Sequence, residues 1–432
     1  MPLKEDPNCL GKSRDIALKK LNSLWNRFLR DPEYLDLYRK FLHEYEEQGH
    51  MEEISGSEEV GTYYIPHLGV YRPDKSTTKL RVVFNASSPT TAGNSLNSLQ
   101  YNGGVLQEDL FSIMVRFRKH IFAFVADIRQ MYRMILIDPS QTKLLRILWR
   151  EGVNEPVKTY ELKTVTYGTV SAPYLAARVL LQLSRDVHEK YPLASQVLER
   201  DLYMDDVLSG ASTLTEAKSL QSELIEALKS AGMALHKWCS NNYDLRTEHS
   251  SDYNFQEETK ALGVSWKPSS DHFTFQIQLE SVVLPTKRSV LSTIARIFDP
   301  LGLLGPVVTR AKIFLQKLWC LNLDWSDPLP ETEAQQWQDF IESLPAINNV
   351  RVKRCILIDN AVHTELHGFA DASESAYGCV IYCKSTSVTG AFEINLVCSK
   401  SRVSPLKRAT IPRLELCAAV LLAKLMTKMR NA

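Results

Sequence analysis

Two adjacent carboxylates, Asp205 and Asp206, lie between the apolar residues 202–204 and 207–208. Apolar arms around a polar centre predict a β-hairpin whose turn carries both acids. Like charges on a tight turn repel each other, and a hard divalent cation bound through carboxylate oxygens would relieve that repulsion. A solvated surface turn is the alternative, because Tyr-x-Asp-Asp alone occurs by chance in roughly a few per cent of chains this long.

A third acid, Asp127, follows the apolar run 121–126 and is followed by Ile128. A strand that is apolar at both parities is buried on both faces. A carboxylate at its end is costly to bury unless it is paired or binds a cation. A role as a helix N-cap is the alternative for Asp127, and the residues 133–137 predict a further strand.

The elements that must position these acids follow from hydrophobic period and turn residues. Gly168 allows a tight turn, Ser171 can cap a helix, and Pro173 suits a first helical turn. The predicted elements are helices at 13–30 and 32–49, a linker at 51–61, strands at 63–67 and 79–84, a helix at 107–119 and a helix that starts near residue 173.

Length and composition limit the class of protein. The 432 residues predict two or three domains. The eight cysteines have no paired spacing, which indicates a reducing, intracellular compartment and argues against structural zinc. The N-terminus has no apolar core of a signal peptide, and the longest apolar run, 416–423, is too short to span a bilayer. The sequence therefore predicts no membrane partner.

Positive charge is concentrated in two segments although the net charge is only +1. Residues 285–320 contain six basic residues and one acid, and residues 395–432 contain eight basic residues and one acid. Such segments could follow a phosphate backbone. Solvated helix faces are the alternative.

Three motifs in order resemble the palm of a reverse transcriptase: Asp127 with Tyr132, the set Tyr167-Gly168-x3-Ala172-Pro173, and residues 203–206. More specifically, the chain is similar over nearly its whole length to the polyprotein of BEL/Pao-type LTR retrotransposons. The segments that carry this resemblance are 64–67, 80–84, 235–238 and the long run 286–302.

The resemblance implies an α+β fold: a right-hand polymerase with fingers, a palm containing an antiparallel sheet and a helical thumb and connection, followed by a truncated ribonuclease H-like α/β domain. The implied segments are an N-terminal helical lead-in at 1–62, fingers and palm at 63–262, primer grip, thumb and connection at 263–345, and the N-terminal half of the ribonuclease H-like domain at 346–432.

The resemblance also implies a two-metal polymerase site. Asp127, Asp205 and Asp206 would hold two Mg²⁺ ions, or Mn²⁺ in their place, during attack of a primer 3′-hydroxyl on a dNTP. Mg²⁺ uses few carboxylates together with water and substrate phosphates, so a larger acidic cage is not expected. Lys237 would protonate or neutralise the departing pyrophosphate, and a surface lysine is the alternative.

Residues for nucleotide and primer follow from the same resemblance. Tyr132 would lie beneath the incoming sugar and exclude a 2′-hydroxyl, with an ordinary core aromatic as the alternative. Lys79 and Arg81 would bind the triphosphate, with strand-edge solubility as the alternative. The remaining implied contacts are Tyr167 and Gly168 on the nucleotide and template side, and Leu262, Gly263 and Trp266 at the primer end.

The C-terminal third carries the first two acids of a ribonuclease H pattern, Asp371 and Glu415. No acid follows Glu415, so we expect no RNA-strand cleavage by this chain alone and an open sheet edge. No D-[ST]-G triplet occurs, so aspartic protease activity is not expected either. Asn85 and the residues 102–104 depart from the family pattern without touching the three metal-binding acids.

The sequence therefore predicts an RNA-directed DNA polymerase of retrotransposon origin. Its expected partners are a primed RNA or DNA template, dNTP and the remainder of a polyprotein. The alternative is a catalytically inactive nucleic-acid-binding relic. A third hypothesis is a scaffold role for the acidic N-terminal helices.

Overall fold

The computed structural model describes residues 1–55, 60–73, 79–245, 259–277, 284–407 and 409–432. The chain divides into two compact units. The first consists of Met1–Gln107, Ile128–His188 and Leu228–Ala234, and the second of Glu108–Asp127, Glu189–Ala227 and Leu235–Ala432. Within the described ranges, every helix is too short or too polar to cross a lipid bilayer.

Helices and strands both contribute substantially, as an α+β fold requires. The described α-helices are α1 (Arg14–Phe28), α2 (Pro32–Glu47), α3 (Leu110–Phe117), α4 (Ala172–Val187), α5 (Pro192–Arg200), α6 (Leu214–Ser230), α7 (Lys287–Arg296), α8 (Gly305–Trp319), α9 (Glu331–Ser343) and α10 (Ile411–Asn431).

Most of the described strands are short, and three long strands lie near the C-terminus. The strands are β1 (Met51–Ile54), β2 (His67–Tyr71), β3 (Leu80–Phe84), β4 (Phe122–Ile128), β5 (Arg146–Trp149), β6 (Lys158–Leu162), β7 (Leu202–Tyr203), β8 (Asp206–Ala211), β9 (Leu235–Ser240), β10 (Thr259–Ala261), β11 (Val264–Lys267), β12 (His272–Thr274), β13 (Arg351–Lys353), β14 (Ala361–Ala372), β15 (Ala376–Ser387) and β16 (Phe392–Val403).

The first unit contains the two predicted N-terminal helices, and α2 begins with Pro32 as expected. Their buried aromatic rings surround Trp149 on β5, with Tyr38 stacked on it at a centroid distance of 5.6 Å. The prediction of a linker at 51–61 was wrong over its first residues. Residues 51–54 form β1, which pairs with β6 from Met51–Leu162 onwards.

Two further strand predictions in the first unit need correction. Within residues 63–67, Tyr64 makes only an isolated bridge to Arg146, and β2 starts at His67. The strand predicted at 133–137 is instead a 3₁₀ turn at Met131–Met134 followed by one bridge from Leu136. Gln130 precedes that turn with φ 50°, a left-handed conformation that ends β4 abruptly. The sequence also predicts a polar turn at 73–78 between the two strands, and residues 74–78 lie outside the described ranges.

The second unit contains a four-stranded sheet in the order β7-β8-β4-β9. Strand β4 is apolar and almost wholly buried, as predicted from its sequence. Helix α3 begins at an N-cap, Asp109, whose carboxylate accepts bonds from two backbone N–H groups. It packs behind the sheet through Ile113, Met114 and Phe117, all fully buried. Buried residues of β4 and β8 belong to the same hydrophobic cluster as these α3 side chains.

A second sheet, β10-β11-β12-β13, and the helices α7 to α9 follow in the same unit. Helix α7 starts at Lys287 because Thr286 and Ser289 form a reciprocal capping box, with backbone-to-side-chain distances of 2.9 and 3.2 Å. The chain ends with the antiparallel sheet β14-β15-β16 and α10, which packs on β14 and β15. The other face of this sheet leaves Phe369, Phe392 and Ile394 more than half exposed.

Two fully buried arginines connect α3 to the segment around β13. Arg354 donates a bidentate pair to the Asp271 carboxylate at 2.6 and 2.7 Å. Burial lowers the pKa of Arg118 to about 10. Because buried charge requires full hydrogen bonding, backbone carbonyls take the other N–H groups: those of Lys353, Arg354 and Val397 for Arg118, and those of Phe117 and His120 for Arg354.

Candidate active site

Three acids, Asp127, Asp205 and Asp206, converge at one end of the four-stranded sheet, and we call them the acid cluster. Asp127 on β4 is the direct cross-strand partner of Asp206, the first residue of β8. Side chains at such positions have Cβ atoms about 5 Å apart. The predicted hairpin is present, with Met204 (φ 58°) and Asp205 at its turn. The prediction that the turn carries both acids was wrong for Asp206, which pairs with Tyr203 as the first residue of β8.

Two side chains of β9, His236 and Lys237, contact the carboxylate of Asp127. His236 Nε2 donates to Oδ1 at 2.8 Å, and Lys237 Nζ donates to Oδ2 at 2.8 Å. The Asp127 side chain is 20% exposed, so both contacts lie in a partly desolvated environment. The structure therefore places Lys237 on a predicted metal ligand.

The other two acids, Asp205 and Asp206, are crowded by like charges. Burial, followed by the charge of Asp127, raises the pKa of Asp205. Burial and then the charges of Asp205 and Asp127 raise the pKa of Asp206 to about 7. Both effects disfavour the ionised form, as expected for crowded carboxylates.

The acid cluster is not arranged as a finished metal shell. In the part of the chain that the structure describes, no group of three or more His, Cys, Asp or Glu side chains is positioned to hold a metal ion. The donor chemistry nevertheless suits a hard cation. Three carboxylates supply oxygen ligands, and a bound cation would relieve the repulsion between them. Asp127 would have to exchange a protein cation for the ion.

A buried ion pair supports the hairpin from below. Arg116 Nε on α3 donates to Asp201 Oδ1 at 2.6 Å, and both side chains are about nine-tenths buried. Ser209 Oγ on β8 donates to the other oxygen of Asp201 at 3.3 Å. Asp201 directly precedes β7, so this pair fixes the start of the hairpin. Nothing in the sequence distinguishes this structural acid from the acid cluster, since it lies only four residues before Asp205.

In the first unit, the rings of Tyr132 and Tyr167 pack edge to face with a centroid distance of 5.2 Å. Gly168 has φ 91°, and a Cβ there would lie 1.9 Å from the carbonyl oxygen of Phe84. Asn97 holds this turn, donating to Gly168 O at 2.8 Å and accepting from the backbone N–H of residue 170. Sequence analysis did not identify Asn97, because it lies in a loop rich in Ser, Asn and Gly.

The two cations predicted for the triphosphate differ in their surroundings. Lys79 Nζ lies 3.0 Å from Glu33 Oε1 on α2, an exposed pair. Arg81 is exposed on β3 opposite Val70 and has no ion pair within the described ranges. Exposed pairs contribute about 0.2 to 1 kcal/mol, so Lys79 could leave Glu33 at little cost. Its role stays a prediction.

The predicted primer-end segment forms a two-residue hairpin turn between β10 and β11. Leu262 has φ 49° and Gly263 has φ 87°, the pair of positive values that a type I′ turn requires. The prediction for Trp266 was wrong, because its ring is fully buried and its Nε1 donates to Asp271 at 2.9 Å. The aromatic ring next to Gly263 is Phe298, which is 47% exposed.

The two acids of the ribonuclease H pattern, Asp371 on β14 and Glu415 on α10, are both exposed. We call them the C-terminal acids. Asp371 lies beside an apolar cleft of about 720 Å³ between the last sheet and α8, whose lining includes Tyr377 and Arg310. The prediction of no RNA-strand cleavage stays a prediction.

The fold is similar to solved structures of reverse transcriptases. A foamy viral protease–reverse transcriptase in complex with double-stranded DNA matches with a TM-score of 0.57 and 15% identity, covering 90% of this chain and 58% of that chain. A foamy viral protease–reverse transcriptase in complex with an RNA/DNA hybrid matches with a TM-score of 0.59 and 12% identity, covering 92% and 47%. The chain thus spans about half the length of these proteins.

The sequence of the C-terminal part gives a more particular match. Residues 286–432 match the family model of the Pao retrotransposon-like RNaseH-like domain. A comparison with curated protein sequences gives no match. The predicted resemblance to BEL/Pao-type retroelements is confirmed for residues 286–432, and the chain has a mixed α/β fold similar to that of the solved reverse transcriptases.

Proposed function

We propose that the chain is an RNA-directed DNA polymerase of retroelement origin, which joins dNTP to a primer 3′-hydroxyl on an RNA or DNA template. The observation that carries the proposal is the acid cluster, in which β4 and β8 hold Asp127 directly opposite Asp206. The shared fold supports it, because the solved relatives are reverse transcriptases in complex with nucleic acid.

In this proposal Asp127, Asp205 and Asp206 hold two Mg²⁺ ions, or Mn²⁺ in their place. Bound ions of this kind stabilise the attacking and leaving oxygens of an in-line displacement at phosphorus. The raised pKa values of Asp205 and Asp206 favour such a role, since a divalent charge would offset the burial and the mutual repulsion that raise them. His236 and Lys237 also contact the Asp127 carboxylate, one at each oxygen.

The other side chains bind and orient the substrates. Tyr132 supports the incoming sugar, and the Tyr167–Gly168 turn lies on the nucleotide and template side. Arg81 binds the triphosphate, joined by Lys79 when it leaves Glu33. These roles are carried over from the family resemblance.

The subdomains belong to the same proposal. Residues 63–262 form the fingers and palm, 263–345 the primer grip, thumb and connection, and 346–432 the partial ribonuclease H-like domain. The turn at Leu262 and Gly263 contacts the primer end, and the exposed ring of Phe298 takes the part that the sequence suggested for Trp266.

Primer extension on poly(A)/oligo(dT) with Mg²⁺ or Mn²⁺ tests the proposal. We expect incorporation by the wild type, a loss of at least about 10³-fold in Asp205→Asn, and no change in the matched control Asp371→Asn. Absence of incorporation by the wild type, or incorporation that survives Asp205→Asn, contradicts the proposal.

The second candidate function is a nucleic-acid-binding protein without catalysis. The observation that favours it is that both oxygens of the Asp127 carboxylate already have partners in the protein, His236 and Lys237. Both candidates predict binding to primer–template that weakens as salt rises. Only the polymerase predicts nucleotide incorporation, so the same assay separates them.

A further inference from the structure

Two consecutive residues of β9, His236 and Lys237, both reach the carboxylate of Asp127. In a regular strand, neighbouring side chains point to opposite faces of the sheet. Lys237 has φ 52°, a left-handed value that non-glycine residues rarely adopt. This local break in the strand brings both side chains to the same side, as a β-bulge does.

The two contacts differ in exposure. The His236 side chain is 22% exposed, whereas the Lys237 side chain is 67% exposed. Ion pairs made by exposed lysines are weak and exchange readily with solvent and competing ions. An imidazole packed beside a carboxylate is a typical orienting partner for a metal ligand. The same carboxylate therefore has one firmly held partner and one that can be replaced.

We propose that His236 and Lys237 divide the two oxygens of Asp127 between a permanent and a displaceable partner. His236 is a positioning residue that keeps Oδ1 and fixes the orientation of the carboxylate. Lys237 is a resident cation on Oδ2 that leaves when a divalent cation binds. The inference rests on the proposed metal-binding role of the acid cluster.

This division makes metal binding conditional. Before substrate binds, the ammonium group of Lys237 competes with a divalent cation for Oδ2. An incoming nucleotide supplies phosphate oxygens, which complete the shell that Mg²⁺ prefers and also attract the released ammonium group. Lys237 thus disfavours metal binding without nucleotide and favours binding of metal and nucleotide together.

Titration calorimetry with Mg²⁺ alone, repeated with Mn²⁺ by electron paramagnetic resonance, tests the inference on the full chain without nucleotide. Lys237→Met removes the competing ammonium, so we expect about two- to fivefold tighter metal binding. Lys218→Met, which removes an exposed lysine of α6, should bind as the wild type does. His236→Ala should bind about tenfold more weakly, and His236→Gln, which keeps an N–H donor, should recover most of the loss.

Opposite shifts from neighbouring residues support the inference, because a merely structural role would lower affinity at both positions. If Lys237→Met fails to fold, Lys237→Gly provides the same test with a residue suited to φ 52°. Unchanged or weaker metal binding in the folded Lys237 variant overturns the inference, as does the absence of metal binding by the wild type.

The result is separable from the proposed function. If metal binding shifts as expected but the wild type incorporates no nucleotide, the polymerase proposal fails and the division of Asp127 stands. If Asp205→Asn abolishes primer extension while Lys237→Met leaves metal affinity unchanged, the division of Asp127 fails and the polymerase proposal stands.

Discussion

The acid cluster and the C-terminal acids are built from the same side chains but placed in different surroundings. Asp127 and Asp206 face each other on paired, buried strands, and α3 packs behind those strands. Asp371 and Glu415 lie exposed on an edge strand and on a helix. Enforced proximity and partial burial shift the pKa of a carboxylate, whereas water screens an exposed one.

The first prediction compares one acid from each group. Asp127→Asn should reduce primer extension by at least about 10³-fold, because it removes one of the three carboxylates proposed to hold the metal ions. Glu415→Gln should stay within about twofold of the wild type. Steady-state incorporation measures both variants side by side. A large loss of primer extension in Glu415→Gln would contradict the assignment of catalysis to the acid cluster alone.

The second prediction concerns stability without metal. The pKa of Asp206 is raised to about 7, so the folded state holds a proton between about pH 4 and pH 7 that the unfolded state releases. Stability contributed by this group is present below that window and lost above it. At pH 8 in EDTA, Asp206→Asn should therefore raise the free energy of unfolding by about 2 to 3 kcal/mol.

Urea unfolding measures this change, and Asp371→Asn is the control that should leave stability unaltered. The difference between Asp206→Asn and the wild type should disappear at pH 4. Destabilisation by Asp206→Asn at pH 8 would show that its charge is already neutralised within the protein.

The third prediction concerns His120, which precedes β4 and has a shifted pKa but no proposed catalytic role. Burial and the charges of Arg354 and Lys119 lower the pKa of His120 to about 4. Because the unfolded histidine binds its proton near pH 6.5, stability should fall by about 2 kcal/mol between pH 7 and pH 5. His120→Gln should remove that part of the pH dependence in urea unfolding while leaving primer extension at pH 8 unchanged.

The fourth prediction extends the contrast to cations. Arg81→Ala should raise the KM for dNTP about tenfold, because an exposed guanidinium lacking an ion pair within the described ranges is available to phosphate. Lys79→Ala should raise it less than about threefold, since Glu33 holds its ammonium group at 3.0 Å. Single-nucleotide incorporation at varied dNTP gives both values. Equal effects would mean that Lys79 leaves Glu33 before nucleotide binds.

Local patterns predicted the strand that carries Asp127 and the hairpin that carries Asp205, whereas the meeting of these acids in one cluster was implied by the resemblance to reverse transcriptases. The apolar run before Asp127 and the arms around Asp205 are complete within a few residues, so hydrophobic period and turn residues suffice. The start of α2 at Pro32 followed from the fixed φ of proline in the same way.

Features that depend on distant partners were missed. Strand β1 forms because Met51 pairs with Leu162, more than a hundred residues later, and no local pattern predicts that pairing. Trp266 is buried because Asp271 and the ring of Phe117 receive it, at 2.9 Å and at a centroid distance of 5.2 Å. The left-handed backbone at Lys237, where His236 and Lys237 both contact Asp127, had no signal in the sequence.

The close approach of Gly168 to Phe84 allows loss of catalysis to be distinguished from loss of the fold when copies of this sequence are compared. A copy of this sequence released from selection for polymerisation would be free to replace Asp205 or Asp206, since neither is needed to complete the sheet. It would still have to keep glycine at 168 for as long as it folds, because any larger residue collides with the backbone. Substitutions at the acids with glycine retained would therefore mark a protein that has lost its chemistry but is still selected for its shape.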